Sequence, residues 1–381
     1  MAFYLDNAAT TKVCPEAAKA ALNIMTENYG NPGSTHKMGR DARAVLDESR
    51  LTIAKSLGAK TEEIFFTSSG SESDNWAILS GAEMNRRRGK HIISSETEHS
   101  AVIKSLDVLE KRGFEVTRLK PEQDGSISPE AVMNALREDT ILVSLMLVNN
   151  ETGGITDIGA ISKAIKKSGS AALLHTDAVQ GFLKVPISAK TLGADMITIS
   201  GHKIHAPKGI AALYIKGGAK AINLPPLIVG GSQEFGKRAG TEALPQIAAF
   251  AAAAEIGSSL FEDSHRHILE MKELAIGLLT SENDGLKVLS GEAPQILSIS
   301  LPGYRSEVLM NFLEAHDIYV SRSSACKKGG RSHVLEAIGL PAAVIDGALR
   351  ISFSRFTTED EIVALCSNIK EARETLYTSL H

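Results

Sequence analysis

The chain has 381 residues, with 41 Lys and Arg against 45 Asp and Glu and a formal net charge of −4. Apolar residues at 43% and charged residues at 23% are ordinary globular values, which exclude a disordered or fibrous chain. The acidic balance speaks against nucleic acid, no apolar run reaches the ~20 residues of a membrane span, and the opening residues lack a signal peptide's basic and apolar regions, so a cytoplasmic protein is expected.

In chain order, Pro15 opens a predicted helix over residues 15–28, since proline suits a first turn. A longer amphipathic helix is predicted over 40–57. Strands are predicted at 64–67, 91–93, 141–148, 172–174, 196–199 and 211–215, with helices at 100–112, 129–137 and 158–167 between several of them. Strands spaced by helices predict an α/β fold, a mostly parallel sheet covered on both faces. The texture changes near residue 258: a helix at 265–280, a strand at 295–301, a helix at 306–316 and strands at 319–320 and 350–353 predict a smaller α+β domain. The expected division is a large domain over 15–257 and a small one formed by 1–14 with 258–381. Arg86, Arg87 and Arg88 read as a solvated helix end, and His265 and His267 as exposed on a charged helix.

Three segments carry chemistry at strand ends, where α/β proteins gather ligands. The run Thr67-Ser68-Ser69-Gly70-Ser71-Glu72-Ser73-Asp74-Asn75 leads into a helix expected near Asn75; it suits a phosphate, though taken alone it reads first as a serine-rich helix cap. His175-Thr176-Asp177-Ala178-Val179-Gln180 puts an acid where it can pair with a protonated ring nitrogen, with Gln180 one helical turn beyond; helix capping by Asp177 fits as well. Ser200-Gly201-His202-Lys203 follows an apolar strand, so Lys203 can sit in a dry pocket, lose its proton and form a Schiff base with an aldehyde. Gly231 to Lys237 has P-loop spacing but carries Arg238 where Ser or Thr is required, and no G-x-G-x-x-G follows a strand, so nucleotide sites are discounted. Cys14, Cys326 and Cys366 are too few for a disulfide framework and too scattered for zinc, and no metal site is expected. Cys14 and Cys366 read as packing residues, the latter on an apolar helical face with Ile362, Val363 and Ile369.

Phosphate cradle, acid and lysine together are what pyridoxal 5'-phosphate demands. With Leu5-Asp6-Asn7-Ala8-Ala9-Thr10-Thr11, Thr97-Glu98-His99, Val148-Asn149-Asn150-Glu151 and Arg238-Ala239-Gly240-Thr241, the chain resembles the cysteine desulfurases of the class V aminotransferase group, over nearly its whole length. The resemblance implies the fold-type I pyridoxal-phosphate transferase architecture. It implies that Lys203 attaches the cofactor, Asp177 pairs with the ring nitrogen, Gln180 bonds the phenolic oxygen, Asn150 lies beside it near the substrate, and His99 stacks on the ring and moves protons. Gly70, Ser71, Ser200, Gly201 and His202 would bind the cofactor, mostly at its phosphate, and Thr241 would reach the neighbouring subunit's phosphate in a homodimer. Arg350 would clamp the substrate carboxylate.

Val320-Ser321-Arg322-Ser323-Ser324-Ala325-Cys326 resembles the family's cysteine loop, and Lys327 and Lys328 favour the thiolate. The segment from Cys326 to the next helix is shorter than in many members. The activity implied is removal of sulfur from L-cysteine, giving L-alanine and a persulfide on Cys326 for an acceptor protein, in a pathway such as iron–sulfur cluster assembly. The alternatives are a selenocysteine lyase or other β-eliminating enzyme, and a non-enzymatic sulfur-pathway scaffold.

Overall fold

The computed structural model describes residues 2–322 and 330–377. Strand β1 (Phe3–Tyr4) opens the chain. Strands β2 (Ile64–Thr67), β3 (His91–Ser95), β4 (Glu115–Leu119), β5 (Thr140–Met146), β6 (Leu173–Asp177), β7 (Met196–Ser200) and β8 (Ala211–Ile215) form a seven-stranded sheet in the order β2-β8-β7-β6-β5-β3-β4. Only β8 runs against its neighbours; the β7-β6-β5-β3-β4 pairs are parallel. The short apolar runs of the sequence are explained by burial on both faces. Phe66, Ile93, Val143 and Ile197 point into one apolar cluster, and Phe65, Ile92, Leu142 and Met196 into the other.

A second sheet combines β9 (Lys287–Val288), β10 (Ile296–Ser300), β12 (Ser321–Arg322) and β13 (Ala348–Ser352), while β11 (Ile318–Tyr319) pairs in parallel with β1. Its apolar cluster takes Ile268 and Met271 from helix Phe261–Glu282, Leu309 from Ser306–Ala315 and Ile369 from Glu359–Thr375, and Leu5 joins them. Leu5 N donates to Tyr319 O at 2.9 Å and Ser352 N to Leu5 O at 2.7 Å, so the chain's start is woven between β11 and β13.

Several expectations need correction. The helix after β2 starts at Gly70 rather than near Asn75, because Ser69 caps it: its Oγ accepts the Glu72 N–H at 3.2 Å. It continues through a π-type turn, Trp76–Ser80, into helix Gly81–Asn85. Strand β6 runs on to Asp177, because buried His175 finds partners on both neighbouring strands: Ser144 Oγ at 2.9 Å and Thr198 Oγ1 at 3.0 Å. Turns follow, so Asp177 caps no helix there and Gln180 lies in a turn. Strand β4, unmarked by a strong apolar run, is an edge strand with polar Glu115 and Arg118. His267 is half-buried, its Nε2 2.7 Å from Thr357 O, and Val363 is exposed, off the face that buries Cys366. Among the described residues, no single helix is long and apolar enough to cross a membrane.

Candidate active site

A cavity of about 370 Å³ opens at the carboxyl ends of β2, β5, β6 and β7. Parallel strands with short exits bring Ser69, Gly70, Ser71, Asn150, Asp177, Gln180, Ser200, His202 and Lys203 to its wall. His99 arrives from the N-cap of helix Ser100–Lys111, and Arg350 from β13 of the second sheet.

Lys203 ends a 3-10 turn (Gly201–Lys203) directly after β7. Its Nζ donates to Ala8 O at 2.6 Å and Ala9 O at 2.7 Å. Burial, with Arg350 nearby, pushes its pKa down to about 8, against the opposing pull of Asp6 and Asp177. Such an amine is a usable nucleophile near neutral pH. His202 is held neutral, its pKa lowered to about 4 by burial and then by Lys203 and Lys208.

Asp177 is buried, which raises its pKa, and His99, the Val179 N–H and Lys203 pull it back. Val179 N donates to its Oδ1 at 2.9 Å. Gln180 Nε2 donates to Ala8 O at 2.9 Å. Arg350 is 3% exposed; Nη1 donates to Asn150 O at 2.8 Å and Nη2 to Asp6 Oδ1 at 3.0 Å, leaving a buried Nε without a partner.

At the β2 side, Gly70 and Ser71 are the first two residues of a helix, so their N–H groups have no intrahelical acceptor. A Cβ on Gly70 would lie 2.9 Å from Val179 Cγ2, so only glycine lets the backbone come this close. Ser200 Oγ is buried and unpartnered. Free N–H groups, an orphan hydroxyl and a glycine-only approach fit a phosphate, while Asp177 and Lys203 fit the ring nitrogen and aldehyde of pyridoxal phosphate.

Two predicted site residues are not brought to the cavity wall. Gly201 faces the core instead: a Cβ there would meet Ile210, Ala206 and Phe250 within 3.2 Å. Thr241 is exposed on a separate loop. Cys326 lies outside the described residues. The wall also holds residues not singled out from the sequence for a role: Ser69, Asp74 and Glu151. Asp74 lay in plain view in the serine-rich run, but nothing in spacing alone separated it from a capping segment.

A family model described as Aminotransferase class-V matches residues 3–365. The chain belongs to the class-V aminotransferase family. Within that family it is 41% identical to a protein of Methanosarcina thermophila named cysteine desulfurase IscS, over 98% of this chain and 93% of that protein. A solved structure titled NifS-like protein superposes with a TM-score of 0.93 at 35% identity, covering 99% of this chain and 100% of that one. Another, titled SspA in complex with cysteine, gives a TM-score of 0.81 at 31% identity over 93% and 99%. This class-V chain therefore has the α/β, fold-type I architecture that its motifs imply.

Proposed function

We propose that this chain is a pyridoxal-phosphate-dependent cysteine desulfurase, which converts L-cysteine to L-alanine and passes the sulfur on through a persulfide at Cys326. The observation that carries the reading is a single cavity holding a lysine of lowered pKa, a buried aspartate and an arginine with a free buried donor. Relatives named cysteine desulfurase, and a neighbour solved in complex with cysteine, support the same substrate.

When bound, pyridoxal phosphate supplies an aldehyde that condenses with amines and a cationic ring that draws electrons from the substrate Cα. Lys203 is assigned its attachment, Asp177 the ring nitrogen, Gln180 and Asn150 the phenolic side, and Gly70, Ser71, Ser200 and His202 the phosphate. Arg350 binds the substrate carboxylate, for which a planar, two-pronged donor suits better than an ammonium. Lys203, when its amine is free, moves the proton at Cα, and His99 assists; such help contributes roughly 10²- to 10⁴-fold. The Cys326 thiolate attacks the substrate sulfur, the C–S bond breaks with its electron pair left to Cβ, which takes up a proton, and alanine leaves.

Thr241 is assigned to the phosphate of a second copy's site, making the working unit a homodimer; its exposure away from its own cavity supports this. The large unit is assigned to 15–257 and the smaller to 1–14 with 258–381; one apolar cluster lies wholly within the smaller unit, while Ala8, Cys14, Ala293 and Ile296 of that unit pack into the cluster of the larger. Buried free thiols at Cys14 and Cys366 suit a reducing, cytoplasmic setting. The test is incubation of purified protein with pyridoxal phosphate and L-cysteine, followed by assay of alanine and of sulfur bound at Cys326. Alanine formation with persulfide lost in Cys326→Ser is expected; undiminished turnover of L-cysteine by that variant would overturn the persulfide route.

A further inference from the structure

Asp74 lies in the helical stretch that starts at Gly70, is 1% exposed, and lines the same cavity as Asp177. One oxygen of Asp74, one of Asp177 and a ring nitrogen of His99 lie within 4.8 Å of one another. Asp74 Oδ1 is fully buried and has no hydrogen-bond partner.

The surroundings treat the two carboxyls differently. His175 Nε2 is 3.6 Å from Asp74 Oδ1, but burial drives that imidazole's pKa down to about 3, so it is neutral and engaged with Ser144 and Thr198. Burial most, and then Asp177, oppose a charge on Asp74, while the Thr198 hydroxyl favours it. Asp177 has the Val179 N–H, His99 and Lys203. Two dry carboxyls this close do not both ionise; the charge settles on the one that has a backbone N–H donor and the Lys203 amine beside it.

We propose that Asp74 is a positioning residue for Asp177: a neutral carboxylic acid that keeps the pair at one negative charge and so sets what Asp177 presents to a ring nitrogen. The inference deepens the reading given above and rests on it for the identity of the ring.

The test compares the holoenzyme with Asp74→Asn by difference infrared spectroscopy. A carbonyl stretch of a protonated acid should vanish in Asp74→Asn and persist in Asp177→Asn, with Glu98→Gln marking the separate contribution of Glu98. The pH at which the bound cofactor's visible band changes should move by less than about half a unit in Asp74→Asn, whereas deleting a charge this near would move it by about one unit or more. A stretch unaffected by Asp74→Asn, or a shift of a unit or more, overturns the proposal. Asp74→Ala, equally neutral, gives both readings again if the asparagine variant does not fold. Failure of the wild type to take up pyridoxal phosphate would overturn the functional reading, while the infrared comparison on that cofactor-free protein still decides the charge on Asp74.

Discussion

Asp6 Oδ1 lies 3.0 Å from Nη2 of Arg350, so the guanidinium assigned to the substrate already faces a carboxylate of its own chain. Burial raises the Asp6 pKa and Arg350 draws it back, which leaves the pair a modest rather than a locked contact. Asp6 therefore competes with L-cysteine for one edge of Arg350. Asp6→Asn should lower KM for L-cysteine about two- to fivefold, as expected for loss of a weak ionic competitor. Arg350→Lys should raise KM by about tenfold or more while retaining bound cofactor, because the second prong is lost. Steady-state kinetics on the two variants measure both.

Reactivity of Lys203 should follow pH with a midpoint near 8. At pH 7 roughly one amine in ten is then unprotonated, against roughly one in a few thousand for an unperturbed lysine. The rate at which cofactor-free protein captures pyridoxal phosphate should rise from pH 6 to pH 9 and level off. Stopped-flow absorbance gives the profile, and a rate still climbing tenfold per unit at pH 10 would contradict it.

Glu98 should make stability depend on pH. Burial raises its pKa from 4.5 to about 8, despite hydrogen bonds from Ser95 and the Met146 N–H. The folded state thus holds this proton more tightly than the unfolded one, a contribution complete below about pH 4.5 and lost as pH rises to about 8. Glu98→Gln should remove that dependence, at most about 1.4 kcal/mol per pH unit. Chemical denaturation at pH 5, 6.5 and 8 would show wild-type stability falling as pH rises while that of the variant stays level.

Arg50 and Glu234 form a buried, two-pronged ion pair, at 2.5 and 2.7 Å, and Glu234 also accepts the Phe66 N–H at 2.8 Å. Arg50 is further sandwiched by Phe66 and Phe235. Arg50→Ala leaves a buried charge without its partner and should cost about 3–5 kcal/mol. Thermal unfolding would register it, and a loss below about 1 kcal/mol would show that the pair carries little.

Ser332 caps helix His333–Ala337 through the Leu335 N–H and donates to Glu151, whose buried carboxyl has its pKa raised to about 7. This contact ties the cavity wall to the chain that follows residues 323–329. Ser332→Ala should cost about 1–2 kcal/mol and slow persulfide formation more than it slows cofactor binding. A variant with unchanged stability and unchanged persulfide rate would contradict the link.

The strand ends were legible because a parallel sheet writes itself as short apolar runs followed by functional residues: Asp177 after β6 and Lys203 after β7 stand out for that reason. What escaped was set by partners distant in sequence. Strand β6 continues through His175 only because Ser144 and Thr198 satisfy a buried imidazole. Gly201 read as part of a ligand motif, yet its missing side chain serves Phe250, far along the chain. Glu151 and Asp74 carried no local mark either, since their roles arise from burial beside other charged groups.

Lys203 takes both its hydrogen-bond acceptors from Ala8 and Ala9, while Thr11 Oγ1 donates to His202 O at 3.0 Å and Asn7 Nδ2 to Ser352 O at 2.9 Å. Residues 7–11 are thus built into the reaction chamber, with Ala8 and Ala9 on its wall. Anyone engineering this protein should place fusion partners elsewhere, and a clipped preparation that has shed residues 2–9 should pass for well folded in its larger sheet while its lysine has lost the oxygens that moor it.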